Sequence, residues 1–149
     1  MLWVINTNTN ACHIYHYQKS PAQLTLLKEI KHPENRLKKS DFLTSDKPGH
    51  YQSDMSGTGG AFVPHTDPKE VEIDNFSREI ARELNHGRTT NAYEKLIIIT
   101  PPHMNGLLFQ HLDKHVKELV VNNIQKDLQH LTHKELLTFL QADAKYPDK

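Results

Sequence analysis

The sequence has little of several residue types, and each shortage excludes a class of protein. Cys12 is the single cysteine in 149 residues, so neither an intramolecular disulfide nor a zinc site built from thiolates can form. No run approaches the roughly 18 apolar residues of a membrane-spanning helix, and the N-terminus lacks the pattern of a secretory signal. We therefore expect a soluble, cytoplasmic chain without membrane insertion.

Neither charge sign is in excess, and motifs for catalysis are scarce. Lys plus Arg and Asp plus Glu number 18 each, so net charge indicates neither nucleic acid nor an anionic membrane as partner. No Gly-x-Ser-x-Gly elbow occurs. A two-metal nuclease needs clustered carboxylates, and the N-terminal stretch from Leu2 to Asn10 contains no acidic residue that could supply one. The sequence thus predicts no catalytic centre, no cofactor and no metal site.

A metal site built from histidines is the main alternative, because the sequence contains eleven of them. His111 and His115 are four residues apart and share one face of a predicted helix, where they could ligate zinc. His130 and His133 form a second, looser pair. Two ligands do not close a tetrahedral site, so solvated helix positions are the simpler interpretation.

Hydrophobic periodicity predicts three strands near the N-terminus, joined by short turns. Leu2 to Thr7 is a short apolar run. Ala11 to Gln18 alternates, with Cys12 and Ile14 on one face and the tyrosines on the other. Gln23 to Ile30 supplies the third strand. Short connections of this kind predict an antiparallel meander.

The second half of the chain alternates between helix and strand. Asp67 and Pro68 predict the start of a helix that ends at His86-Gly87, with the glycine as a left-handed C-cap. The remaining predicted elements are a strand from Leu96 to Thr100, a helix from Asn105 to His115, a strand from Glu118 to Ile124 and a helix opened by a Thr132/Glu135 capping box.

This order, βββαβαβα, predicts an α/β fold with a mixed sheet of the ribonuclease H-like type. Residues 1–144 form one predicted domain, with a long polar loop over 32–66 between the third strand and the first helix. Residues 145–149 are a predicted frayed tail. A domain rarely keeps about thirty residues without regular structure unless they bind something or are disordered. The function is therefore predicted to lie in this loop.

The loop offers several contact groups but no complete motif. Ser56 to Gly60 is glycine-rich, yet it lacks the Lys-Ser/Thr of a phosphate-binding loop, so a mobile tip is the favoured interpretation. Asp46 to Gly49 is a strong turn signal. The basic residues Arg36, Lys38 and Lys39 could bind phosphates. Acidic residues are interleaved with them, so a solvated surface is the simpler alternative. The candidate partner-binding residues are Arg36, Lys38, Lys39, Asp46, Gly49, His50, Tyr51, Gly59 and Gly60.

Taken together, short elements along nearly the whole chain resemble the bacterial host attachment protein family, named for a requirement in attachment to host cells. These elements are Trp3-Val4-Ile5, His32-Pro33-Glu34-Asn35-Arg36, Ser45-Asp46-Lys47-Pro48-Gly49, Phe76 with Arg78-Glu79-Ile80, Ile99-Thr100-Pro101-Pro102, Gly106-Leu107-Leu108 and Lys126-Asp127-Leu128.

That family in turn is similar to the middle domain of archaeal and eukaryotic translation release factors. The resemblance implies a ribonuclease H-like fold whose long loop enters the ribosome. Release factors carry Gly-Gly-Gln at the loop tip, whereas this chain has Gly59-Gly60-Ala61. Alanine cannot orient a water molecule, which argues against release activity.

Three hypotheses follow. The first is a non-enzymatic module associated with the ribosome or RNA, with residues 32–66 as the contact surface and Arg36, Lys38 and Lys39 on phosphates. The second is a protein–protein adaptor in attachment to host cells. The third is a hydrolase that uses His50 or His65 of the loop as a base with a nearby aspartate.

Overall fold

The computed structural model describes residues 1–32 and 67–143, which form a five-stranded sheet with helices on both faces. The mixed α/β architecture predicted from the sequence is confirmed. The strands are β1 (Leu2–Thr7), β2 (Ala11–Lys19), β3 (Ala22–Lys31), β4 (Lys95–Ile99) and β5 (Val120–Ile124). The helices are α1 (Pro68–Thr89), α2 (Pro102–His111), α3 (Lys114–Lys117) and α4 (His133–Ala142).

The sheet has the strand order β3-β2-β1-β4-β5, which places β1 at its centre. The hairpins β1–β2 and β2–β3 are antiparallel, while β1, β4 and β5 are parallel. Ile5 lies opposite Ile14 of β2 on one side and Ile98 of β4 on the other. The predicted meander is therefore one half of the sheet, and the helix-strand alternation forms the other half.

The two faces of the sheet carry separate hydrophobic cores of unequal size. On the first face, helices α1, α2 and α3 pack on the sheet around Ile5, Phe76 and Leu108. On the second face, α4 packs around Val4, with Leu136 turned toward the sheet. A helix of ten residues spans only about 15 Å. The described helices thus cover less of the second face than of the first.

Helix α1 begins as the sequence predicts but ends later. The Asp67 carboxylate accepts a hydrogen bond from the Lys69 backbone N–H at 3.1 Å, and Pro68 occupies the first turn. The predicted C-cap at Gly87 is wrong, because the helix runs on to Thr89 and no glycine in the described ranges has a positive φ. Gly87 instead faces two aromatic rings, those of Trp3 and Tyr93.

The predicted helix from Asn105 to His115 is two helices, so the predicted element order lacked one short element. Leu112 adopts an extended conformation, and the Asp113 carboxylate caps α3 by accepting from the His115 N–H at 3.1 Å. His111 and His115 therefore belong to different helices. In the part of the chain that the structure describes, no group of three or more metal-ligating side chains forms.

His111 instead joins α2 to α1. Its Nε2 lies 2.8 Å from the Asp74 carboxylate, which also accepts from the Arg78 guanidinium at 3.0 Å. The hydrogen bond with His111 is the largest influence that lowers the pKa of Asp74, and Arg78 adds to it. Near the start of α1, Glu70 forms a similar contact with His103. These acid–histidine pairs fix the seam between the two helices.

The two described glycines offer a matched test of the packing. A Cβ on Gly87 would lie 2.9 Å from Tyr93 Cε2 and 3.1 Å from Trp3 Cη2, whereas a Cβ on Gly106 would meet nothing within 4 Å. Overpacking costs about 1–3 kcal/mol, against a gain in helix propensity of about 1 kcal/mol.

We therefore expect Gly87→Ala to lower the free energy of unfolding and Gly106→Ala to raise it by up to about 1 kcal/mol. Urea denaturation followed by circular dichroism measures both. Equal stabilisation by the two substitutions would show that Gly87 has no packing role.

Candidate functional site

All nine candidate residues of the sequence analysis lie outside the described residues, since each falls within 33–66. His32 is the one member of the predicted loop that the structure describes. It is buried, stacks on Phe76 with ring centroids 4.7 Å apart, and approaches the Thr9 carbonyl oxygen through Nδ1 at 2.7 Å. The described structure therefore stops at an anchored histidine and resumes at the α1 cap, Asp67.

Open α/β sheets usually bind ligands beyond the carboxyl ends of their parallel strands. Here the segment between β5 and α4 crosses those ends and is held there by amide side chains. Asn6 Nδ2 donates to the Leu128 carbonyl at 3.3 Å, and Gln129 Nε2 donates to the Asn6 carbonyl at 2.6 Å. Asn8 Nδ2 lies 3.4 Å from the Asp127 carboxylate. The polar groups at the end of β1 thus bind main chain and neighbouring side chains.

A second amide bridge lies at the end of β5. Asn123 Nδ2 donates to the Ile98 carbonyl at 3.1 Å and to Asn105 Oδ1 at 2.8 Å, which ties β5 to β4 and α2. Asn122 Nδ2 donates to the Asp143 carboxylate at 2.6 Å, just after α4. The two asparagines that interrupt the hydrophobic pattern of β5 therefore connect the strand to helices on opposite faces.

Cys12 is unsuited to nucleophilic chemistry. Its side chain is fully buried on the first face, and burial raises the pKa of the thiol to about 12. A thiol with so high a pKa carries almost no thiolate near neutral pH. The structure agrees with the prediction that Cys12 is a small buried residue.

One cleft opens beside the covered strand ends. The chain leaves β4 toward α2 on the first face and leaves β5 toward α4 on the second face, so the connections diverge between these two strands. A cleft of about 330 Å³, which we call the β5–α4 cleft, lies on the β5 side of this point, between the end of β5 and the end of α4. It is lined by Asn123, Ile124, Gln125, Lys126, Phe139, Ala142 and Asp143.

A second surface with functional character is the outer edge of β3. Within the described residues, β3 pairs only with β2. Leu24 is buried, yet Leu26 and Leu27 are 47% and 46% exposed. The register between β2 and β3 shifts at this position, and α4 reaches β3 through His133, whose Nε2 lies 2.5 Å from the Leu24 carbonyl. We call Leu26, Leu27 and the unpaired side of β3 the β3 edge.

The sequence pattern did not reveal this edge. Leu24 and Leu26 are in phase, which predicts that both point into a core. The structure shows that α4 shields Leu24 and leaves Leu26 uncovered. Whether a strand is central or at an edge depends on its neighbours in the sheet, which alternation within one strand does not encode.

Comparison with known proteins gives the family. A family model described as "Protein required for attachment to host cells" matches residues 3–140. The chain belongs to this host attachment family. An uncharacterized protein of Rickettsia prowazekii (strain Madrid E), RP470, is 38% identical over 80 residues, which cover 52% of this chain. The match spans about half the length of that relative, 53%.

Membership of the host attachment family bears on the order of the functional hypotheses. Its description supports the attachment hypothesis more than the ribosome or RNA hypothesis, which the sequence analysis placed first. None of the helices in residues 1–32 and 67–143 is long and apolar enough to cross a membrane.

The role of Asn6 is open to a direct test. Its side chain is 2% exposed and donates to a carbonyl oxygen. Aspartate at this position would place a buried carboxylate against that oxygen, with a cost of at least about 2 kcal/mol.

We expect Asn6→Asp to lower the melting temperature at pH 7 and to recover part of the loss near pH 4, where the protonated acid can donate. Asn75→Asp, on the exposed side of α1, is the control and leaves the melting temperature nearly unchanged. An Asn6→Asp protein as stable as the control would contradict a structural role for this amide.

Proposed function

We propose that this chain is a non-enzymatic, protein-binding module that acts in attachment to host cells, with the β3 edge as its docking surface. The observation that carries the proposal is the pair of leucines, Leu26 and Leu27, each nearly half exposed on an edge strand of ten residues. The family description supplies the biological setting.

An edge strand favours an extended protein segment as its occupant. Its main-chain donors and acceptors are a template on which a partner can add a further strand, and apolar side chains along it supply specificity. Charged groups flank the leucines: Lys28 pairs with Glu83 of α1 at 2.6 Å, and Glu29 lies 3.2 Å from His13. These pairs leave the leucines as the apolar centre of the surface.

The arrangement at the strand ends supports a role without catalysis. α/β enzymes commonly place reacting groups at these strand ends. Here the side chains are those of Asn6, Asn123 and Gln129, and each donates a hydrogen bond that holds the fold together. The hydrolase hypothesis relied on His50 and His65, which lie outside the described residues.

Attachment of a gene-deleted strain to host cells, complemented by variants of this chain, tests the proposal. Lysine on an edge strand opposes the addition of a further strand. We expect Leu26→Lys with Leu27→Lys to reduce attachment to the level of the deleted strain.

Val71→Lys is the matched control, because Val71 is 42% exposed but lies on α1. It should restore attachment fully. The free energy of unfolding of both purified variants should lie within about 1 kcal/mol of the parent's, since exposed substitutions change stability little. Normal attachment by the double variant would refute docking at the β3 edge.

The ribosome- or RNA-associated role remains a second proposal, together with the release factor likeness. The strand order β3-β2-β1-β4-β5, with β2 antiparallel to both neighbours, supports a ribonuclease H-like fold as part of it. Its contact residues all belong to 33–66. Sedimentation of the tagged chain with ribosomes at low salt, abolished by ribonuclease, would favour this role over the attachment role.

A further inference from the structure

The β5–α4 cleft lies beside a place where the topology of an α/β sheet predicts a ligand. Connections from β4 and β5 leave toward opposite faces, and such switch points leave a crevice outside the carboxyl ends of the strands. The cleft contains residues that directly follow β5, Gln125 and Lys126. The cleft thus adjoins the switch point on the side of β5 and α4.

The size of the cleft restricts the ligand. Its volume of about 330 Å³ is near the lower end of the range for small-molecule sites, roughly 300–1,000 Å³. A ligand of ten or so non-hydrogen atoms fits this range, whereas a nucleotide with its phosphates does not. The occupant is therefore small.

The walls of the cleft carry opposite charges. On the β5 side, the Lys126 ammonium lies 5.9 Å from the centroid of the Phe139 ring. No carboxylate in the described residues is within ion-pair distance of that ammonium. On the α4 side are the Asp143 carboxylate and the C-terminal end of the helix, where the helix dipole favours a cation.

Between the charges the lining is apolar. Ile124, Phe139 and Ala142 supply hydrocarbon and aromatic surface. The Asn122 amide donates to Asp143 Oδ2 at 2.6 Å and holds one oxygen of that carboxylate in place. A ligand that matches this lining has an anionic group, a cationic group and a short apolar part.

We propose that the β5–α4 cleft binds a free α-amino acid with an apolar side chain. Its carboxylate pairs with Lys126, its ammonium faces Asp143 and the end of α4, and its side chain packs on Phe139 and Ala142. Asp143 would repel a simple anion, and Lys126 would repel a simple cation. The zwitterion is therefore the form that both walls of the cleft favour. This site is separate from the β3 edge and does not depend on the attachment role.

Titration of the full ¹⁵N-labelled chain by NMR tests the proposal. The probes are L-leucine, L-leucinamide, which lacks the carboxylate, and N-acetyl-L-leucine, which lacks the ammonium. We expect L-leucine to shift the amide signals of Lys126, Phe139 and Asp143 in a saturable way below about 10 mM, a range that captures even a Kd near 1 mM. Each blocked analogue should bind at least about 10-fold more weakly.

Two variants assign the contacts. Lys126→Gln should lower the affinity for L-leucine about 10-fold. It should leave the affinity for leucinamide unchanged, because leucinamide has no carboxylate that could pair with Lys126. Asp143→Asn should weaken L-leucine and leave N-acetyl-leucine unchanged. Lys134→Gln, at the opposite end of α4, is the control and should bind L-leucine like the parent.

The outcomes that overturn the proposal are distinct. Absence of saturable shifts with L-leucine would exclude an amino-acid site. Equal binding of leucinamide would identify a peptide N-terminus as the ligand, and equal binding of N-acetyl-leucine would identify a simple carboxylate. Unchanged L-leucine affinity in the Lys126→Gln protein would remove the central contact. None of these results bears on the attachment assay.

Discussion

The rest of the structure depends on the burial of β1 between two kinds of strand pairing. Its antiparallel pairing with β2 builds the hairpin half of the sheet, and its parallel pairing with β4 builds the half that needs crossover helices. Because Val4 and Ile5 face opposite cores and are fully buried, β1 requires a helix layer on each side. Within residues 1–32 and 67–143, three helices lie on one side and the ten-residue α4 lies on the other.

Because the described helices cover the two faces of the sheet unequally, some surfaces are covered and others are exposed. At the carboxyl end of β1, the amides of Asn6 and Gln129 hold the crossing segment against the strand. On the second face, α4 covers Leu24 but not Leu26, which stays exposed at the sheet edge beside Leu27. The β5–α4 cleft lies where the crossing segment passes the end of the same helix. Both candidate surfaces thus border α4.

Local signals predicted the elements well, and tertiary contacts explain the differences. The cap at Asp67 and the Thr132/Glu135 capping box were confirmed because they act within one helical turn. The prediction that Gly87 ends α1 was wrong because its role depends on tertiary neighbours. Trp3 is distant in sequence, and Tyr93 lies beyond the end of the helix. The break at Leu112 carries no glycine or proline. The predicted contact residues in 33–66 remain predictions, and neither the β3 edge nor the cleft has a sequence motif.

The central claim is that β3 presents an open, pairing-competent edge in the complete chain. Hydrogen–deuterium exchange of the full-length protein measures this directly, because amides that point away from β2 exchange slowly only if something covers them. The account predicts fast exchange at alternate positions of β3 and slow exchange throughout β1. Protection along the whole of β3 equal to that of β1 would contradict it.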